Sequence, residues 1–338
     1  MFNRSNRRDA GFPTCRRCLR LSADIDQFTT QSWRHTTPER PSRNRATIAY
    51  LIALVLFCGG CPAAAQQAHT VVHFPSLDDN DGGKPATVLA GHIFRPLDDG
   101  RHSALVFLHG CGGLIRDGDL DERETSWAGE LNRLGYAVLM VDSHWPRGIG
   151  STCSLRVSNP DQWMKLMQKR ERDAYGALQF LVAQPFVESN RIGVIGWSLG
   201  GGVVLLSTRS GERARLNGSG SASFRAAVAF YPALCNDDEQ APGWSNEIPL
   251  LLLQGASDTW TQAAPCQRFV ENAVARGARI DMQLYPGAYH AFDAPNTPLQ
   301  LLPVQSRPGT LPYIASDPAA RRDALERVQA FLARYLGD

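Results

Sequence analysis

From about Thr70 onward, short apolar runs rich in β-branched residues alternate with stretches whose apolar positions recur at helical spacing. The apolar runs are Ala86–Phe94, Ala104–Leu108, Ala137–Val141, Arg191–Gly196, Ala226–Tyr231, Pro249–Gln254 and Ile280–Tyr285. Several are apolar almost throughout instead of alternating, the pattern of strands buried on both faces. Between them, Trp127, Leu131 and Leu134 stand at i, i+4 and i+7, and Ala174, Leu178 and Leu181 repeat that spacing. Val270, Ala273 and Val274 form a shorter set, and Leu325, Val328, Phe331, Leu332 and Tyr335 make a stripe along a closing helix, Ala324–Tyr335. The alternation predicts an α/β fold, a mostly parallel central sheet with helices on both faces. Functional side chains in such a sheet gather beyond the carboxyl ends of the strands. Two stretches break the pattern: a polar Gly/Ser loop at 211–223, and residues 294–316, with five prolines and no clear period. The second either roofs a pocket or wraps the surface without a role.

Upstream the pattern changes. Ile48–Phe57 is an uncharged apolar run preceded by Arg43 and Arg45 and followed by small residues ending Ala63-Ala64-Ala65. A basic flank, an apolar stretch too short to span a bilayer and an Ala-x-Ala end predict a secretory signal peptide. Cleavage after Ala65 is the first expectation, leaving residues 66–338 as a single domain and 1–65 as basic extension plus leader. Lipidation at Cys61, behind Gly59 and Gly60, is one alternative, and a retained N-terminal anchor another. The expected location is the periplasm or the exterior.

Charge supports that division. Residues 1–45 hold ten Arg against four acidic residues, a net of +6, so with +2 for all 338 residues the remainder carries −4. No basic patch in the body points to nucleic acid. With 43% hydrophobic and 20% charged residues, the chain can bury a sizeable core and is not globally disordered. Cys15 and Cys18 form a lone CxxC that lacks two further zinc ligands.

The most informative stretch is Gly196-Trp197-Ser198-Leu199-Gly200, the sole GxSxG. A β-run precedes it and the helix-compatible VVLLS follows it. In a nucleophile elbow a strand turns sharply into a helix. Small residues two before and two after the serine then prevent a backbone clash. The bland reading is a Gly-rich turn with a capping serine. Asp258 follows the run ending at Gln254, and His290 follows the run ending at Tyr285. The order nucleophile, acid, base fits the elbow, and His290 is the sole histidine after Ser198. Asp293 is a rival acid, too close to His290 in sequence for a comfortable partner. The expected oxyanion donors are the N–H groups of Leu199 and of Cys111, the latter in His109-Gly110-Cys111-Gly112-Gly113 after Ala104–Leu108. Trp145, Trp197 and Trp260 flank these loops as candidate pocket walls, or as core. No metal or organic cofactor is expected.

Four cysteines remain downstream of the leader, enough for two disulfides in an exported protein. Cys235 and Cys266 should lie at the same rim of the sheet and are the first expected pair; Cys111–Cys153 is the second.

Taken together, GWSLGG, the GASD loop, YPGAYHAFD and Val141-Asp142-Ser143-His144-Trp145-Pro146-Arg147-Gly148 resemble the dienelactone hydrolase family of the α/β-hydrolase fold, from about Val88 to the C-terminus. The family's best-known members carry Cys where this chain has Ser198, and Glu where it has Gly110. The resemblance implies a hydrolase of small-molecule carboxylic esters or lactones. It also implies that Arg147 binds a substrate carboxylate, the alternative being a salt bridge or loop anchor. Competing readings are a peptidase-like hydrolase of the same fold and a non-catalytic envelope binding protein on that scaffold.

Overall fold

The computed structural model describes residues 69–78, 85–217, 222–304 and 311–337. The leader, with Cys61 and the cleavage region, lies outside the described residues, as does Cys15-x-x-Cys18. In chain order the strands are β1 (Thr70–Pro75), β2 (Val88–Phe94), β3 (His102–Leu108), β4 (Ile115–Arg116), β5 (Asp119–Leu120), β6 (Ala137–Asp142), β7 (Val187–Trp197), β8 (Ala226–Phe230), β9 (Leu250–Gly255), β10 (Ile280–Tyr285), β11 (Gln300–Leu301) and β12 (Tyr313–Ile314). The helices are α1 (Glu122–Arg133), α2 (Leu155–Ser158), α3 (Pro160–Val182), α4 (Leu199–Ser207), α5 (Glu212–Asn217), α6 (Ala263–Ala275) and α7 (Pro318–Leu336).

Eight strands form one sheet in the order β1-β2-β6-β3-β7-β8-β9-β10. The two pairings nearest the β1 edge are antiparallel, and β6 through β10 run parallel. Along β3, Ala104, Val106 and Leu108 face a core shared with α3, α4 and α6, while Leu105 and Phe107 face one shared with α1 and α7. This two-sided burial is why the strands read as continuous apolar runs. Register places the carboxyl ends at one rim: Leu108 pairs with Gly196, Trp197 with Phe230, and Gly255 with Tyr285.

The seven expected strands are all present, with ends shifted by a few residues. The edge strand β1 was not foreseen, because only Phe74 on it is fully buried and the rest lacks an apolar signal. Leu134 differs too. It caps α1 and is 51% exposed, and Ala128 takes a place on the buried stripe instead. Inside 211–223 lies the short helix α5, whose Glu212 is gripped by Arg209 and Arg215. The stretch 294–316 contains β11 and β12, which pair as a small antiparallel flap.

Candidate active site

The elbow between β7 and α4 is built as its residue types demand. Ser198 sits at φ 53°, a left-handed conformation rare for a side chain with a Cβ. A Cβ at Gly196 would lie 2.3 Å from the Gly200 carbonyl oxygen, and one at Gly200 only 1.9 Å from that of Leu108. Glycine at both positions is therefore a steric requirement. Ser198 occupies the N-cap of α4, yet its hydroxyl makes no capping hydrogen bond. The bland capping role is thus not taken up, and Oγ stays available.

Asp258 and His290 arrive on neighbouring strand-end loops, after β9 and β10. His290 Nδ1 lies 2.7 Å from Asp258 Oδ2, and both residues are buried. The other carboxylate oxygen accepts the Trp260 and Thr261 N–H groups at 2.7 and 2.9 Å. A group absent from the sequence reading also stands here. The Thr261 hydroxyl is 2.9 Å from Asp258 Oδ2, 3.2 Å from His290 Nδ1 and 3.0 Å from the Tyr231 carbonyl. The Asp-x-x-Thr spacing, typical of a carboxylate folding back on its own loop, is the signal that would have found it. Ser198 and His290 line one cleft of about 680 Å³, together with Gly110, Cys111 and Trp260.

Around the glycine-rich loop after β3, a Cβ on Gly110 would be 3.8 Å from that of Ser198. His109 braces this loop from below. Its Nε2 accepts the Ser143 N–H at 3.3 Å, so Nδ1 carries the proton and donates to the Gly110 carbonyl at 2.7 Å. Burial, helped by Arg170 and His144, holds His109 well below the usual imidazole range, so it stays neutral. The Cys111 carbonyl accepts from the Thr152 N–H and hydroxyl, and a disulfide ties Cys111 to Cys153. Among the described residues the Cys111 N–H donates no hydrogen bond, and the Leu199 N–H, first in α4, has no intrahelical acceptor. A second disulfide joins Cys235 to Cys266.

Two expected binding residues lie elsewhere. Arg147 is half-buried against Asp173 and Asp78, with Nη contacts of 2.7 to 2.8 Å, and also donates to the Ser143 carbonyl. With both nitrogens committed to carboxylates it anchors its loop to α3. It borders a separate groove of about 850 Å³ that touches neither Ser198 nor His290. Trp197 points to the opposite side of the sheet, stacked on Phe230, and is fully buried. Strand alternation explains this, since adjacent residues face opposite sides. Its indole N–H and that of Trp127 both donate to Asp293 Oδ2, while the Tyr231 hydroxyl donates to Oδ1. The Asp293 carboxylate is thereby consumed as a core acceptor, and the carboxylate that His290 pairs with is that of Asp258. Trp145 is 75% exposed, which leaves Trp260, with its ring 4.8 Å from that of His290, as the tryptophan at the cleft.

The sequence profile of the dienelactone hydrolase family matches residues 90–336, spanning both the elbow and the Asp258 and His290 loops. The chain belongs to the dienelactone hydrolase family. It is accordingly a hydrolase of the ester- and lactone-cleaving type on an α/β-hydrolase fold. A Bradyrhizobium protein described as a probable 2-oxo-3-(5-oxofuran-2-ylidene)propanoate lactonase is 22% identical over 233 residues, 64% of this chain and 84% of that protein. Two solved structures share the fold. A dienelactone hydrolase-like promiscuous phosphotriesterase from metagenomic libraries is 21% identical with a TM-score of 0.57, covering 79% of this chain and 99% of its own. The dienelactone hydrolase of Anabaena variabilis is 19% identical with a TM-score of 0.52, covering 80% and 99%.

Proposed function

We propose that this dienelactone hydrolase family member cleaves a carboxylic ester or lactone through an acyl-enzyme on Ser198. His290 serves as general base then acid, and Asp258 as its orienting partner. The observation that carries the reading is the 2.7 Å contact between His290 Nδ1 and Asp258, in the cleft where the uncapped Ser198 stands. With Nδ1–H donated to Asp258, Nε2 is free to take the Ser198 proton. Oγ then attacks the carbonyl carbon, and the oxyanion is held by the Leu199 and Cys111 N–H groups. Collapse breaks the acyl–oxygen bond, and the departing oxygen takes the proton from His290. Water, deprotonated by the same imidazole, attacks the acyl carbon and returns Ser198. In a lactone the departing hydroxyl stays tethered until that second step.

A fluorophosphonate probe should label Ser198, identified by peptide mass spectrometry. Ser198→Ala and His290→Ala should each lose several orders of magnitude in kcat, with the double variant little worse. Labelling elsewhere, or full activity in Ser198→Ala, would overturn the mechanism. An envelope binding protein on this fold would not be labelled at all.

The reading extends to location. Two disulfides within one domain suit an oxidising compartment, and the apolar run Ile48–Phe57 with its Ala-x-Ala end suits export. The exported protein should begin near Gln66, or at a lipidated Cys61. Recovery of the intact chain from the cytosol would refute export.

A further inference from the structure

Two β-hairpins, the second within the stretch 294–316 that the sequence leaves as either a pocket roof or a surface wrap, both contribute to the lining of the cleft that holds Ser198. The first, β4–β5, is inserted between the glycine-rich loop and α1. Its cross-strand pair is Ile115 with Leu120, both half-buried and both lining the cleft. Arg116, Asp117, Asp121, Glu122 and Arg123 line this end of the cleft as well, and Arg116 is paired with Asp121 at 2.8 Å. The second is the flap β11–β12. Both residues of β11 are exposed; just beyond it Leu302 and Val304 are half-buried and Pro303 exposed, and in β12 Tyr313 is exposed and Ile314 half-buried. Leu302, Val304 and Ile314 all line the cleft.

The flap is also anchored. Ile314 bridges to His290, the Ala315 N–H donates to the His290 carbonyl at 3.1 Å, and the Tyr313 N–H donates to the Thr259 hydroxyl at 2.9 Å. The Leu302 N–H reaches the Pro312 carbonyl at 2.9 Å, fixing one strand to the other. The flap is thus tied by its backbone to the His290 loop, and Trp260 lies beside the His290 ring.

We propose that Ile115 and Leu120 of one hairpin and Leu302, Val304 and Ile314 of the other form an apolar slot within a cleft whose remaining lining includes charged residues, and that this slot selects esters or lactones bearing an extended hydrocarbon group, alkyl or aryl, beside the scissile carbonyl. The proposal rests on the serine-hydrolase reading of the same cleft. Apolar area leaving water in a half-open slot should raise kcat/KM by about two- to fourfold per methylene until the slot is filled.

The test is a series of p-nitrophenyl esters from acetate to octanoate, run on protein already assayed for Ser198 labelling. A rise in kcat/KM of at least roughly tenfold between acetate and hexanoate is expected. Leu302→Asp and, from the opposite wall, Leu120→Asp should each flatten that rise. Leu97→Asp, at a fully exposed position away from the cleft, should keep it. The two wall residues stand on separate small hairpins, so a folding failure in one variant leaves the other as the test. A labelled wild type with a flat profile, or wall variants that retain the full slope, would overturn the slot. Absence of labelling at Ser198 would instead remove the hydrolase mechanism, and the slot with it.

Discussion

Ser198 and His290 line one cleft and Asp258 contacts His290, three side chains that type, order and spacing single out because each constraint on them is local or ordinal. A serine between two obligatory glycines, an acid after one strand and a lone downstream histidine need no knowledge of the fold's interior. Arg147 and Trp197 could not be placed that way. The partners of Arg147 are Asp78 and Asp173, far away in sequence. The direction of Trp197 depends on which face of the sheet Ser198 leaves. Asp293 shows the same limit, since its two indole donors come from α1 and β7. Thr261 carries the residue-scale prediction. Its hydroxyl can steady both Asp258 and the imidazole without touching a substrate, so it is a positioning residue. Thr261→Val should lower kcat about tenfold, roughly 1.4 kcal/mol of barrier, and leave KM nearly unchanged. Thr261→Ser should restore most of the loss. Equal behaviour of the two variants in steady-state kinetics would show that the hydroxyl has no such part.

Among the elements, the parallel strands were the most legible, since burial on both faces writes itself as unbroken apolar runs. The short hairpins were invisible. A two-residue strand has no period to read, and the prolines around β11 and β12 argue against regular structure. The packing of α4 on β3 yields a prediction at this scale. A Cβ on Gly200 would meet the Leu108 carbonyl at 1.9 Å, backbone against backbone, so neither side can yield cheaply. Gly200→Ala should push α4 off the sheet and cost on the order of 3 kcal/mol or more, seen as a large fall in Tm or as insoluble protein. Gly150→Ala, where a Cβ meets nothing within 4 Å, should leave Tm within about a degree or two. Comparable melting of both variants would mean the elbow is not as tightly packed as described.

For the whole molecule, a buried charge cluster beneath the cleft links pH to stability. Arg123 reaches Glu124 at 2.6 Å and the Tyr231 hydroxyl at 3.3 Å, and Asp121 lies within 4.0 Å. Burial pushes the Glu124 carboxyl up to about 8, against the pull of Arg123. The folded protein therefore keeps a proton that the unfolded chain gives up in the ordinary carboxylate range. Its contribution to stability is full below that range and is lost progressively as pH rises toward 8. Glu124→Gln preserves the shape without the titration. Thermal melts from about pH 5 to 8 should show wild-type Tm falling relative to the variant. Parallel curves would mean that Glu124 is ionised in the fold.

The two hairpins occupy connections that the fold already contains, one leading into α1 and the other into α7. Neither contributes a strand to the eight-stranded sheet. What the enzyme accepts and how it reacts are thus written in separate segments of chain. Natural drift or engineering could exchange residues 115–120 or the apolar residues Leu302, Val304 and Ile314 and retune substrate range, while the reacting groups inherit an unchanged frame.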